Sequence, residues 1–272
     1  MTPNDPLDRD TITAVAAARL EAAESTRKPC APVRDLLGET DIELAYAVQR
    51  RLTEHRLAAG AKIVGRKIGL TSPAVQRQLG VDQPDLGVLF DDMDVTGLAE
   101  VPSGRLLQPK AEAEVAFVLG ADLDHEISGV DDVRAAVSYA VAALEIVDSR
   151  IADWDIKITD TVADNGSSAL YVLGDKKLTL DEFEPVDVVM KLYSDGELVS
   201  EGDGAACLGD PLEALVWLAR TARAFGAPLR AGQVVLSGAL GPMIPAPPGS
   251  VIRMELSSLG SVTATFSRED DR

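Results

Sequence analysis

The chain has 272 residues, 46% of them hydrophobic, and 44 acidic side chains against 26 lysines and arginines, for a net charge of −18. That length and composition support a sizeable core and exclude wholesale disorder. The surplus of acid argues against nucleic acid, whose phosphates call for Lys and Arg, and no apolar run reaches the ~18 residues of a membrane-spanning helix.

The first ten residues are acidic and polar, without the basic and apolar regions of a signal peptide, so a cytoplasmic location is expected. Cys30 and Cys207 lie far apart without motif context, which fits two free thiols in a reducing compartment. Residues 8–27 place Ile12, Val15, Ala16, Leu20 and Ala23 at helical spacing. After a loop with Pro29, Pro32 and Gly38, the capping box Thr40-Asp-Ile-Glu43 opens a second helix expected to run to about Ala59. Residues 61–69 read as a strand. Ser72-Pro73 then supplies an N-cap and a first-turn proline for a short helix closed by Gly80.

From about residue 85 strand signals dominate, over 86–90, 105–119, 141–149, 168–173, 187–203, 233–237 and 250–266. Asp195-Gly196 is a hairpin signal, and Ser258-Leu-Gly260 marks a second turn. Helices are expected near 131–140 and 210–226, the latter capped by Asp210 with Pro211 and Glu213. Strand and helix do not alternate, and no glycine-rich nucleotide fingerprint is present. The fold class is therefore α+β, with a small, mainly helical part over 1–70 and a larger β-rich domain over 71–272.

Glu112-Ala113-Glu114 is the sharpest chemical signal. It sits in the strand-like segment 109–120, and alternation puts both glutamates on one face while Ala113, Val115 and Phe117 take the other. Two such charges about 5 Å apart repel by roughly 3 kcal/mol at an effective dielectric near 20, a penalty that a cation removes. An exposed edge strand would also tolerate the pair. Glu145, a lone acid in the apolar run 141–148, favours the cation. With two histidines and two cysteines in the whole chain, a zinc site is disfavoured; three carboxylates suit a hard ion, Mg2+ or Mn2+.

Other segments carry further chemistry. Lys67 lies in the glycine-flanked strand Gly65-Arg-Lys-Ile-Gly69, where the bland alternative is a surface lysine. Free amides at the helix start that follows, with the Thr71 and Ser72 hydroxyls, make a carboxylate cradle. Asp85 follows a proline in a tight loop, and Asp164-Asn-Gly-Ser-Ser168 is a turn of small polar residues.

These segments together resemble the 2-keto-4-pentenoate hydratase group of the fumarylacetoacetate hydrolase superfamily. The likeness rests on 65–89, Glu112-Ala-Glu114, Ala143-Leu-Glu-Ile-Val-Asp-Ser-Arg150, 160–168, 209–218 and Ser237-Gly-Ala-Leu-Gly241, and covers about residues 40 to 266. The resemblance implies a β-rich roll, a metal site of Glu112, Glu114 and Glu145, catalytic Lys67 and Asp85, and Ser167 touching the substrate beside Thr71 and Ser72. It implies a small 2-hydroxy-dienoate (2-oxo acid) substrate, hydration of 2-hydroxypenta-2,4-dienoate to 4-hydroxy-2-oxopentanoate in aromatic catabolism, and a homo-oligomer of the ring type that can associate with a pathway enzyme. Alternatives are a 4-oxalocrotonate decarboxylase, a hydratase for a longer or dicarboxylic acid, and a silent partner subunit. A hydrolase of the superfamily would need a base to activate water, and neither His55 nor His125 is well placed.

Overall fold

The computed structural model describes residues 8–72, Gln76 and residues 83–268. Helix α1 (Arg9–Thr26) begins where the Asp8 carboxylate accepts from Thr11 N at 2.8 Å. It packs along α3 (Ile42–Ala58), and the four-residue α2 (Arg34–Leu37) lies between them in sequence. The cap of α3 is Asp41, whose carboxylate accepts from Leu44 N at 2.9 Å; the helix starts beyond the capping box expected from Thr40. The short helix expected from Ser72 to Gly80 falls largely outside the described residues, although Gln76 is helical and its N–H donates to Ser72 O.

The larger sheet contains β1 (Ile63–Gly69), β2 (Asp85–Phe90), β3 (Lys110–Leu119), β4 (Val137–Val147), β5 (Ser168–Leu173) and β8 (Val234–Leu236), in the order β2-β1-β8-β3-β4-β5, with β9 (Ile244–Pro245) also paired to β3. The β1 and β8 strands pair in parallel and the remaining pairs are antiparallel. The second sheet runs β11-β10-β6-β7, from β6 (Val189–Ser194), β7 (Glu197–Asp203), β10 (Val251–Leu256) and β11 (Gly260–Thr265). Asp195 and Gly196, both at positive φ, turn the β6–β7 hairpin as their sequence requires. Helices α4 (Val130–Ala136), α5 (Ile158–Ala163) and α6 (Pro211–Ala224) complete the α+β fold. Among the described residues no helix is long and apolar enough to cross a membrane.

Three segments differ from expectation. The helix read over 131–140 stops at Ala136, because from Val137 the chain pairs with β3. The strand read from 105 begins at Lys110, because the Leu107 and Gln108 amides are taken by the Asp148 carboxylate at 2.8 and 2.7 Å. Helix α5 gave no amphipathic signal, since all six of its residues are buried.

The alternation in β3 divides two cores. Ala111, Ala113, Val115, Phe117 and Leu119 join the main core. Ala116, on the glutamate face, joins a smaller cluster with Val88, Phe90, Val141, Ala143, Tyr171 and Leu236. Glu112, Glu114 and Glu145 therefore sit at one end of an apolar patch inside a paired sheet. The solvated edge strand that would have made the acids ordinary does not occur, because β3 lies between β8 and β4.

Candidate metal and substrate site

Strand register builds the site. Glu112 and Glu145 are direct cross-strand partners, and Glu114 lies two residues along on the same face, paired with Ala143. One carboxylate oxygen from each of the three lies within 4.8 Å of the others. Glu114 is 0% exposed and Glu145 1%, while Glu112 is half-buried. Glu114 Oε2 accepts from Gly238 N at 2.7 Å, but Glu114 Oε1 and both Glu145 oxygens have no hydrogen-bond partner.

Unpartnered buried carboxylate oxygens are costly, and two such carboxylates that share a centre with a third are the arrangement of ligands for a cation. An all-oxygen set fits a hard divalent ion better than zinc. Without one, burial and then the Glu145 charge push the Glu112 carboxyl up to about 7. Burial and then its two glutamate neighbours hold Glu114 well above its ordinary range. Burial also raises Glu145, against the pull of Lys67.

Lys67 is buried, not snorkelling at the surface. It points to the glutamate face of the sheet, with Nζ 3.5 Å from Glu145 Oε1. Burial works against its charge, but Glu145, Asp85, Glu112 and Glu114 together outweigh it and raise its pKa. When all are ionised, one ammonium faces four carboxylates, a surplus that a dication reduces.

Asp85 opens β2 directly across from Gly69. A Cβ at Gly69 would lie 2.2 Å from Asp85 Oδ1 and 3.2 Å from Lys67 Nζ, so the glycine is the gap in which both groups converge. Thr161 donates to Asp85 Oδ2 at 3.3 Å, while Oδ1 has no partner. Burial raises the Asp85 pKa, against the pull of Lys67.

Thr71 is buried against Gly238, the residue that donates to Glu114, and its carbonyl accepts from Leu208 N at 3.1 Å. Half-buried Ser72 follows it. Ser167 is buried beside the Lys67 stem through its neighbour Gly166, and its Oγ has no hydrogen-bond partner. The geometry thus gathers Lys67, Asp85, Thr71 and the three glutamates, with Ser167 on the flank. Thr161 and the Gly238 amide were not read from sequence. The only signal for either was its place in a segment of the family pattern, 160–168 for Thr161 and Ser237–Gly241 for Gly238. The histidines stand apart: His55 pairs with Glu21 at 2.6 Å on the exposed face of α3, and His125 is exposed.

Residues 88–267 match the family model described as the C-terminal part of fumarylacetoacetate (FAA) hydrolase. The chain belongs to the fumarylacetoacetate hydrolase family. This family member is 55% identical over 247 residues to the "TodF product hydratase" of Pseudomonas putida, covering 90% of this chain and 92% of the relative. It is 52% identical to the 2-keto-4-pentenoate hydratase of Paraburkholderia xenovorans over 92% of this chain and 93% of that one. In structure it resembles the 4-oxalocrotonate decarboxylase of Pseudomonas putida G7, solved with magnesium and adipate. That match has a TM-score of 0.90 at 33% identity and covers 97% of this chain and 100% of the other.

Proposed function

We propose that this chain is a divalent-metal-dependent hydro-lyase that adds water to 2-hydroxypenta-2,4-dienoate, giving 4-hydroxy-2-oxopentanoate. The observation that carries the proposal is the meeting of three glutamates, two of them buried with carboxylate oxygens that lack partners, with a buried lysine at one centre. The hydratase chemistry is supported by relatives of that name at over 50% identity across nine-tenths of both chains.

Glu112, Glu114 and Glu145 would hold the ion, proposed as Mg2+ or Mn2+; when bound, it supplies Lewis acidity toward the 2-oxygen and carboxylate of the substrate. The remaining roles fall to the chain's own groups. Lys67, kept cationic by its acidic neighbours, gives a proton to C5 and regains one from the 2-hydroxyl, leaving a conjugated 2-oxo acid. Water then adds at C4. Asp85 takes the proton of that water and returns it to C3; its raised pKa makes it the stronger base. The Ser167 hydroxyl, free of protein partners, orients the water, and Thr71 with Ser72 holds the substrate carboxylate. Atoms balance: one water enters, C5 and C3 each gain a hydrogen, and the 2-hydroxyl loses one.

The likeness to a decarboxylase structure gives the competing outcome. Purified protein with Mg2+ is expected to bleach the ultraviolet absorbance of 2-hydroxypenta-2,4-dienoate. Carbon dioxide release from 4-oxalocrotonate, without dienoate turnover, contradicts the reading. We further propose a cytoplasmic homo-oligomer, in keeping with the two unpaired cysteines and the family resemblance. Light scattering on a size-exclusion column tests the assembly, and a monomer contradicts it.

A further inference from the structure

Asn165, Gly166 and Ser167 have φ of 55°, 63° and 53°, three successive residues in the left-handed region. Side chains rarely adopt this conformation in succession, so something outside the turn must hold it. The Asn165 side chain does so. Its Oδ1 accepts from Val88 N at 2.8 Å and its Nδ2 donates to Val88 O at 2.9 Å. β2 is the edge of its sheet, and the amide takes the place of a missing neighbouring strand at one residue. Leu86, two residues earlier on the same edge, is covered by Gln49 and Tyr46 of α3.

The turn also lies on Lys67. Gly87 is the cross-strand partner of Lys67, and a Cβ there would meet Asn165 O at 2.5 Å and Lys67 Cγ at 3.0 Å. A Cβ at Gly166 would sit 3.3 Å from Lys67 Cδ. The lysine stem is therefore confined between the β2 backbone and the turn, and the turn ends on the unpartnered Ser167 hydroxyl.

We propose that Asn165 is a positioning residue for the reaction. Its amide docks the left-handed turn on Val88, which sets both the line of the Lys67 stem and the position of the Ser167 hydroxyl. The inference rests on the proposed roles of Lys67 and Ser167. Asparagine suits the task for two reasons: it tolerates the left-handed conformation, and it offers a donor and an acceptor side by side. Aspartate has no donor for Val88 O, and glycine keeps the backbone freedom while losing both bonds.

The test compares Asn165→Gly and Asn165→Asp with the parent and with Lys67→Met, as full-length protein loaded with Mg2+ and assayed on 2-hydroxypenta-2,4-dienoate. The glutamates stand on β3 and β4, so Mg2+ affinity should stay within about twofold of the parent. With the lysine and serine displaced, kcat should fall about 10- to 100-fold while KM moves far less. Parent-like kcat per Mg2+-loaded site in the variants overturns the proposal. So does a kcat loss matched by an equal loss of Mg2+ binding, or failure of both variants to fold, since each makes the amide merely structural. If Lys67→Met turns over like the parent, it is the proposed function that fails.

Discussion

Replacing Glu114 by glutamine sets the stability of the metal-free fold against its ability to hold a cation. The glutamine oxygen can keep the bond from Gly238 N, and its new amide group finds acceptors in the neighbouring Glu145 carboxylate, whose oxygens lack partners. What disappears is charge. Two carboxylates with oxygens within 4.8 Å of each other repel by roughly 3 kcal/mol or more at an effective dielectric of 20. The native carboxyl escapes some of this by holding its proton, which its raised pKa permits. A carboxyl with a raised folded pKa favours the folded state most at acid pH, and that contribution is lost as pH rises. The variant has no such dependence at this position. At pH 8 and in chelator, Glu114→Gln should therefore be more stable than the parent by about 1–3 kcal/mol, worth roughly 2–4 °C in Tm per kcal/mol for a chain of this size. Calorimetric titration of the same variant with Mg2+ should show no binding. A metal-free variant less stable than the metal-free parent, or one that binds Mg2+ as the parent does, refutes the reasoning.

Lys67→Met should fold and still bind Mg2+, yet lose about 10²–10⁴-fold in kcat, as expected when a positioned proton donor is removed; steady-state kinetics with a parallel thermal melt reads both. Gly69→Ala puts a methyl group into the Asp85–Lys67 gap, where its Cβ would clash at 2.2 Å. It should cost about 1–3 kcal/mol of stability by overpacking and depress kcat, and an unchanged melt and rate would show that the gap is not tight. The Glu112 carboxyl, pushed up to about 7 from an ordinary 4.5, holds its proton in the metal-free fold, so its contribution to stability declines as pH rises from 4.5 through 7. Mg2+ must displace that proton, so the rise in Tm on adding Mg2+ should be small at pH 5.5 and large at pH 8; a pH-independent rise contradicts the shift.

Local chemistry made much of this legible. Alternation placed Glu112 and Glu114 on one face, and a lone acid in an apolar strand marked Glu145. The cross-strand register that sets Glu112 opposite Glu145 is a tertiary fact with no local code. Residues 137–140 fit a helical spacing as well as a strand, and pairing with β3 decided between them. Asp164-Asn-Gly-Ser was readable as a turn, but not its docking on Val88, 77 positions away from Asn165. The sequence showed Lys67 in a glycine-flanked strand, but not that Asp85 approaches Gly69, brought there by the pairing of β1 with β2.

The account stands on one divalent ion held by three acidic side chains. Diffraction from crystals soaked in Mn2+, collected for anomalous signal, tests it directly. A single strong peak within bonding distance of Glu112, Glu114 and Glu145 is the result expected. Saturating Mn2+ that leaves this centre without a peak, or that binds only elsewhere, contradicts it.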